Sequence, residues 1–340
     1  MELLLQKPIK KRKYKKTKYI AKSKLNKPNI GFSKIIIIFI LAIIFFSFTK
    51  RKTKTSNLSI KDNSNIKLAM CAIAKAENRY IKYFLEHYKK LGYDHIYLYD
   101  NNDIGEEPIG DLQIAKDLIK EGFLSIIEYR NKTGNLQSDA YHECYKENKI
   151  SYDWISFIDL DEFLIILPQN LTLKELLNNP RFNNCESIHF NWKTYTDNDL
   201  LDFEDKSPME RFTVETNFKS ENQNIKSFIR GNLDYNKIRE NGSPHTIYYE
   251  VQACSPSGQK IANRYNKWPP DYSYGYVNHY VTKTVREYFY KRCKSKTEVE
   301  NVDKIPKYLT ERWFKFFFSI NKKTKEKVDI YNQLFHTNYQ

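Results

Sequence analysis

No Walker A loop and no Gly-x-Gly-x-x-Gly run occurs in the 340 residues. The glycine-rich turns that cradle phosphates in P-loop and dinucleotide-binding proteins are therefore missing. No internal repeat is present, which excludes a solenoid or propeller. The cysteines Cys71, Cys144, Cys185, Cys254 and Cys293 include no Cys-x-x-Cys pair and no Cys/His metal spacing, which disfavours a structural zinc site. In an oxidising compartment they allow one or two disulfides with one thiol left over, in a pairing the sequence does not give.

Beyond residue 65 the chain also lacks net charge. The formal +15 arises wholly in residues 1–65, which hold 17 Lys+Arg against 2 Asp+Glu. Taking these from the totals of 56 and 41 leaves 39 of each sign. A nucleic-acid-binding domain carries its own basic face, so no nucleic-acid partner is expected.

What the N-terminal region does contain is a basic tail, residues 1–34, followed by Ile35–Phe48, apolar but for Ser47. Lys34 and Lys50-Arg51-Lys52 bracket this run. With its neighbours it approaches the roughly 17 residues a membrane span needs. The tail is too long for a signal peptide, and no small-x-small cleavage site follows. The reading is a signal anchor over 35–49, then a flexible Lys/Thr/Ser/Asn-rich stem over 50–65. The positive-inside rule leaves the N-terminus cytoplasmic and the remainder across the bilayer, a single-pass type II topology.

Order begins near Ile66. A strand to Ala74 precedes a helix with Ile81, Phe84, Leu85, Tyr88 and Leu91 on one face, stopped by Gly92. Strands at His95–Tyr99 and Phe123–Glu128 alternate with helices near Asp111–Lys120 and Leu136–Lys146. Such alternation predicts an α/β fold with a mostly parallel sheet and helices on both faces. A helix at Thr172–Leu177 and a strand at Ser187–Trp192 follow. After residue 195 the signal weakens to a helix beginning near Lys283, and 301–340 reads as a helical C-terminal extension.

Asp159-Leu160-Asp161 ends the buried-strand run Trp154-Ile155-Ser156-Phe157-Ile158. Paired carboxylates past the C-terminal end of an interior strand face the crevice where open α/β sheets bind ligands. They suit a hard cation, Mn²⁺ or Mg²⁺. A second triplet, Asp197-Asn198-Asp199, lies in an Asn/Asp-rich stretch that reads as a solvated loop. Four Asn-x-Ser/Thr triplets begin at Asn57, Asn131, Asn170 and Asn241.

An ordered set of motifs accompanies the first triplet: Lys75-Ala76-Glu77-Asn78, Tyr97-Leu98-Tyr99-Asp100-Asn101-Asn102, Gln137…Ala140-Tyr141…Cys144, Trp154 through Leu164, and Asn278-His279-Tyr280. Together they resemble glycosyltransferase family 92 and family 2-like proteins over about residues 66–300. The resemblance implies a GT-A fold that binds a nucleotide-sugar and a divalent metal. It suggests galactose as the donor sugar, carried by UDP, and a glycan or glycoprotein as acceptor. The family usually has Lys-Asn-Glu where this chain has Lys75-Ala76-Glu77-Asn78, so the donor-side role falls to Glu77 or Asn78. His279 matches a late metal or diphosphate contact, on a loop entering a helix.

Other side chains suit the same chemistry. Asp100, ending a strand, can accept from a ribose hydroxyl or cap its own turn. Gln137 opens the helix before the metal strand; Asp139 beside it reads as an exposed helix start. Lys226 and Arg230 can bind diphosphate oxygens or sit on a solvated strand face. An inverting transferase needs a carboxylate base for the acceptor hydroxyl; the candidates are Glu210 and Glu162, with His245 a further possibility. The reading is a membrane-anchored, metal-dependent glycosyltransferase. Its alternatives are a non-catalytic glycan-binding membrane protein of the same fold, and a membrane tether acting through the basic tail.

Overall fold

The computed structural model describes residues 66–216, 219–234, 238–248, 250–264, 269–294 and 304–337. The tail, the apolar run 35–49 and the stem lie outside the described residues. No helix among the described residues is long and apolar enough to cross a membrane.

The chain opens with strand β1 (Leu68–Ala74), helix α1 (Asn78–Lys90), β2 (His95–Asp100), α2 (Gln113–Lys120), β3 (Leu124–Glu128), α3 (Leu136–Asn148) and β4 (Trp154–Phe157). Gly92 and Gly122 stop α1 and α2 with φ of +95° and +77°, a left-handed backbone that glycine adopts without a Cβ penalty. The outer strands then pair in parallel on either side of β1, with Ala74 level with Asp100 and Cys71 level with Phe157.

Successive β1 side chains point to opposite faces, and each face receives its own helices. Leu68, Met70, Ala72 and Ala74 pack in one core with Ile81, Phe84, Leu85 and Tyr88 of α1 and Leu118 of α2. Ala69 and Cys71 pack on the other side with Ala140, Tyr141, Cys144 and Tyr145 of α3. Disulfide Cys71–Cys144 ties β1 to α3, Cys185–Cys254 lies within the first core, and Cys293 is a buried free thiol.

Beyond β4 come β5 (Glu162–Ile166), α4 (Leu173–Leu177), β6 (Ser187–Thr194), the short helices α5 (Pro208–Arg211) and α6 (Lys219–Asn222), and β7 (Ile225–Arg230). A hairpin of β8 (Ile238–Ser243) and β9 (Thr246–Tyr248), then β10 (Ala253–Cys254), β11 (Lys260–Ile261) and β12 (Gly275–His279) complete the strands described. The main sheet runs β3-β2-β1-β4-β7-β6-β10-β11. The expected parallel order holds from β3 to β4. β7 then enters antiparallel between β4 and β6, so the whole is a mixed α/β sheet. β12 pairs with β6 in parallel and with β5 antiparallel, which sets His279 opposite Glu162.

Helices α7 (Val285–Lys294), α8 (Lys307–Ile320) and α9 (Lys325–Phe335) share a core around Phe289, Phe317, Tyr331 and Phe335. Two buried ion pairs tie them to the rest. Arg211 forks onto Glu287 at 2.9 and 2.7 Å, and Tyr80 donates to the same carboxylate. Lys327 of α9, fully buried, donates to Asp197 and Asp199 at 2.9 and 2.8 Å. The second Asp-x-Asp triplet is thus a socket for a lysine. The expected solvated loop is not found, because Asp197 is covered by a helix far along the chain.

Candidate active site

The C-terminal ends of β1, β2 and β4 open on one side of the sheet, and the loops leaving them build the site. After β4 the chain passes through Asp159 and Asp161 and turns back into β5. The turn closes on itself: Glu162 N–H donates to the Asp159 carbonyl at 3.0 Å, and Asp159 N–H donates to the Glu162 carboxylate at 3.0 Å. Tyr280 N–H fastens the segment after β12 to the Asp161 carbonyl at 2.9 Å.

Asp159 is the more accessible of the two aspartates and its carboxylate is filled. Gln137 donates at 2.5 Å and Tyr141 at 2.7 Å from α3, and Lys226 donates at 2.8 Å from β7. Lys226 also lies 3.2 Å from Glu162. Burial pushes the Asp159 carboxyl up, but the lysine outweighs it and holds it below the usual range.

Asp161 faces a second group of side-chain nitrogens. Lys291 lies 3.2 Å away, Lys283 3.6 Å and the His279 Nε2 3.8 Å. Burial raises its pKa, yet Lys291 and Lys283 prevail and the carboxyl stays ionised. Glu77, buried in the loop after β1, takes Lys291 at 2.7 Å and Lys283 at 3.8 Å. Four carboxylates therefore meet three ammonium groups in one cleft.

One ligand atom each from Asp161, Glu162 and His279 lie within 4.8 Å of one another. Glu162 Oε1 is buried without a hydrogen-bond partner, a costly state for a carboxylate oxygen that a bound ion relieves, and His279 turns its Nε2 toward Asp161. Burial lowers the His279 pKa to about 3, which leaves a neutral imidazole, the form that ligates metals. Oxygen donors with one imidazole suit Mn²⁺ or Mg²⁺. The residues therefore fit a divalent ion, with Glu162 joining Asp161 and His279 in the converging group and Asp159 beside it, engaged by Lys226. His279 is the last residue of a strand, not the loop residue expected, since β12 borrows both its edges from β5 and β6.

The remaining candidates divide. Asn78 is a strut: it donates to the Glu107 carbonyl at 2.8 Å and accepts from Asn102 at 2.7 Å, while Glu77 beside it enters the charged cluster. Asp100 accepts from Asn102 N–H at 3.0 Å and Ile109 N–H at 2.8 Å, so both oxygens hold its own turn. Arg230 sits opposite Trp154, at the far end of β4 from Asp159, and donates to the carbonyls of Cys185 and Phe182 at 2.8 Å. Glu210 is exposed and caps α5 through Ser207 N–H at 3.0 Å. His245 lies near Lys226, with Nδ1 2.9 Å from the Ile225 carbonyl; burial and that lysine lower its pKa to about 4.

Residues 66–313 match glycosyltransferase family 92. The chain belongs to this family. It is also similar to a glycosyltransferase family 92 protein of Oryza sativa subsp. japonica, 25% identical over 114 residues; the match spans 33% of this chain and 18% of that relative's length. Similar solved structures include the mannosyltransferase PcManGT from Pyrobaculum calidifontis in complex with GDP-Man and Mn²⁺ (11% identity, 46% of this chain and 44% of that chain, TM-score 0.23). They also include GalNAc-T7 with UDP, GalNAc and Mn²⁺ (10%, 80% and 55%, 0.33), and S. aureus TarS in complex with UDP (11%, 79% and 79%, 0.34).

Sequence reasoning passed over Lys283 and Lys291 of this family 92 chain. Nothing local marks them, since their partner Glu77 lies more than two hundred residues upstream. Tyr141 was visible as part of a motif, four residues after Gln137 and so on the same helix face, but its grip on Asp159 appears only in three dimensions.

Proposed function

We propose that this chain is a membrane-anchored, metal-dependent glycosyltransferase of GT-A type. It moves a hexose, galactose foremost, from a UDP-sugar to a glycan or glycoprotein acceptor. The observation that carries the metal-dependent part is the convergence of Asp161, Glu162 and His279, with one Glu162 oxygen buried and unpartnered. These three would hold the divalent ion, with Asp159 beside them. A bound divalent ion neutralises charge on the leaving diphosphate.

The chain's own residues supply the rest. Lys283 and Lys291 are the ammonium groups available to diphosphate oxygens, each already opposite a carboxylate that a donor complex would re-pair. Gln137, Tyr141 and Lys226 fix the Asp159 carboxylate and, through the closed turn, the direction of Asp161. In the transfer the acceptor hydroxyl attacks the anomeric carbon as the bond to the diphosphate breaks, and its proton passes to a base. Of the two carboxylates expected for that task, Glu210 lies apart from the cluster and Glu162, fully buried against Lys226, is taken up in holding the ion, so we assign the base to neither.

The domain plan we favour keeps 1–34 as cytoplasmic tail, 35–49 as anchor, 50–65 as stem, 66–300 as the catalytic domain and 301–340 as its helical extension. The charge asymmetry about the apolar run supports this topology. So do the two disulfides, which persist in oxidising compartments. Turnover of a UDP-sugar panel with Mn²⁺ tests the activity.

A further inference from the structure

A cleft of about 290 Å³ lies beside the charged cluster, walled by Arg79, Asp202, Phe203, Arg286, Tyr290 and Leu334. These come from the start of α1, the loop before α5, α7 and α9, so the C-terminal helices complete it. Its volume is at the small end of ligand pockets, about 300–1,000 Å³, which suits one ring rather than an extended molecule.

The walls have the chemistry of a sugar subsite. Tyr290, 40% exposed, offers an aromatic face, while the Phe203 ring at the back of the cleft is covered by the Arg79 and Arg211 guanidiniums. An exposed aromatic ring presents an apolar body to the C–H face of a pyranose. Between the two rings stands Arg79, whose guanidinium lies 4.9 Å from the Phe203 ring and 5.7 Å from the Tyr290 ring. Arg79 makes no ion pair among the described residues, so its donors remain free for hydroxyl oxygens. Asp202 adds an acceptor, anchored by Arg286 at 2.7 Å.

The cleft also leads toward the proposed chemistry. Arg79, Glu287 and Tyr290 line a second, water-sized hollow of about 10 Å³ whose wall includes Lys283 and Lys291. Those two lysines are the groups that reach Asp161. A ring held in the cleft would present its hydroxyls toward the donor side.

We propose that this cleft binds a pyranose residue of the acceptor, stacked on Tyr290 and hydrogen-bonded by Arg79 and Asp202. The assignment rests on the transferase reading, and its test is separable from it. Saturation-transfer NMR on the full chain would use four probes: the methyl glycosides of β-galactose, α-mannose, β-N-acetylglucosamine and α-fucose. We expect transfer to the ring protons of at least one, persisting in saturating UDP. In Arg79→Ala and Tyr290→Ala that transfer should fall about fivefold or more, the loss expected of an anchor contact. Both positions are exposed, so melting temperature and UDP affinity should hold. Transfer to none of the four, transfer abolished by UDP, or equal transfer in both variants would overturn the assignment. A chain that binds a glycoside this way but turns over no UDP-sugar keeps the cleft and removes the transferase reading. A chain that turns over UDP-sugar with neither variant affected does the reverse.

Discussion

Lys291 of α7 reaches Asp161 at 3.2 Å across 130 residues of sequence, and the same ammonium lies 2.7 Å from Glu77. The pair joins the end of the first α/β half to a helix that no local pattern connects with it. Burial lowers the Lys291 pKa, but Asp161 and Glu77 raise it further, so the group stays charged.

From this pairing follows a donor-binding test. Lys291→Ala removes a charge available to the diphosphate while its side chain is 38% exposed. UDP affinity should fall about tenfold, the loss of one charge-assisted contact of roughly 1.5 kcal/mol, and the melting temperature should drop only modestly, because Lys283 remains 3.8 Å from Glu77 and 3.6 Å from Asp161. Calorimetric titration of UDP with Mn²⁺ measures the first. Unchanged affinity would remove Lys291 from the donor site.

Lys327 carries stability, not chemistry. Removing one partner of a buried pair leaves an uncompensated charge and costs about 3–5 kcal/mol. Lys327→Ala should therefore unfold at clearly lower denaturant. Asp197→Ala should approach it, because Asp197 is 1% exposed. Asp199→Ala should cost less, since the Asp199 side chain is 56% exposed. The solvated loop read from the sequence would have made Asp197→Ala nearly neutral for stability; the buried lysine makes it costly.

Acid sensitivity has a local source in Glu287. Burial opposes its ionisation, but Arg211, Thr284 and Tyr80 lower its pKa to about 2. A depressed carboxylate contributes stability that is full above its unfolded value near 4.5 and disappears as pH falls toward 2. The contribution is roughly 3 kcal/mol. Glu287→Gln should lose most of it at pH 7 and show a shallower decline in stability between pH 4.5 and 2. Equal decline in both proteins would assign acid unfolding elsewhere.

Topology can be read without the anchor itself. Asn131 and Asn170 are exposed and each begins an acceptor triplet. In a host that N-glycosylates, the full chain should pellet with membranes, resist alkaline extraction and lose mass on deglycosylation. Asn131→Gln with Asn170→Gln should diminish that shift. An unglycosylated, alkali-extractable chain would contradict the type II assignment.

The N-terminal half was legible because its signals are local. Helix α1 shows its face at Ile81, Phe84, Leu85 and Tyr88, and β4 announces itself as five apolar-biased residues before Asp159. Past residue 195 the order is set by partners. β7 is only six residues long and gains its place by inserting between β4 and β6. β12 lies between β5 and β6, so His279 was visible as a residue but not as a strand end. Arg230 and Asp100 looked like ligand groups, yet each spends its donors or acceptors on nearby backbone. The opposite error befell Lys283 and Lys291, whose meaning depends entirely on Glu77 and Asp161.

The most direct test of the account is the Mn²⁺ dependence of UDP-sugar turnover in the parent chain, Asp161→Asn and His279→Ala. The parent should require a divalent ion, and chelation should abolish turnover. Asp161→Asn should be folded and inactive. His279→Ala should need at least about tenfold more Mn²⁺ for half-maximal rate and recover part of its activity at high metal. Turnover that survives chelation would contradict the account. So would a His279→Ala protein with a lowered melting temperature and an unchanged metal requirement.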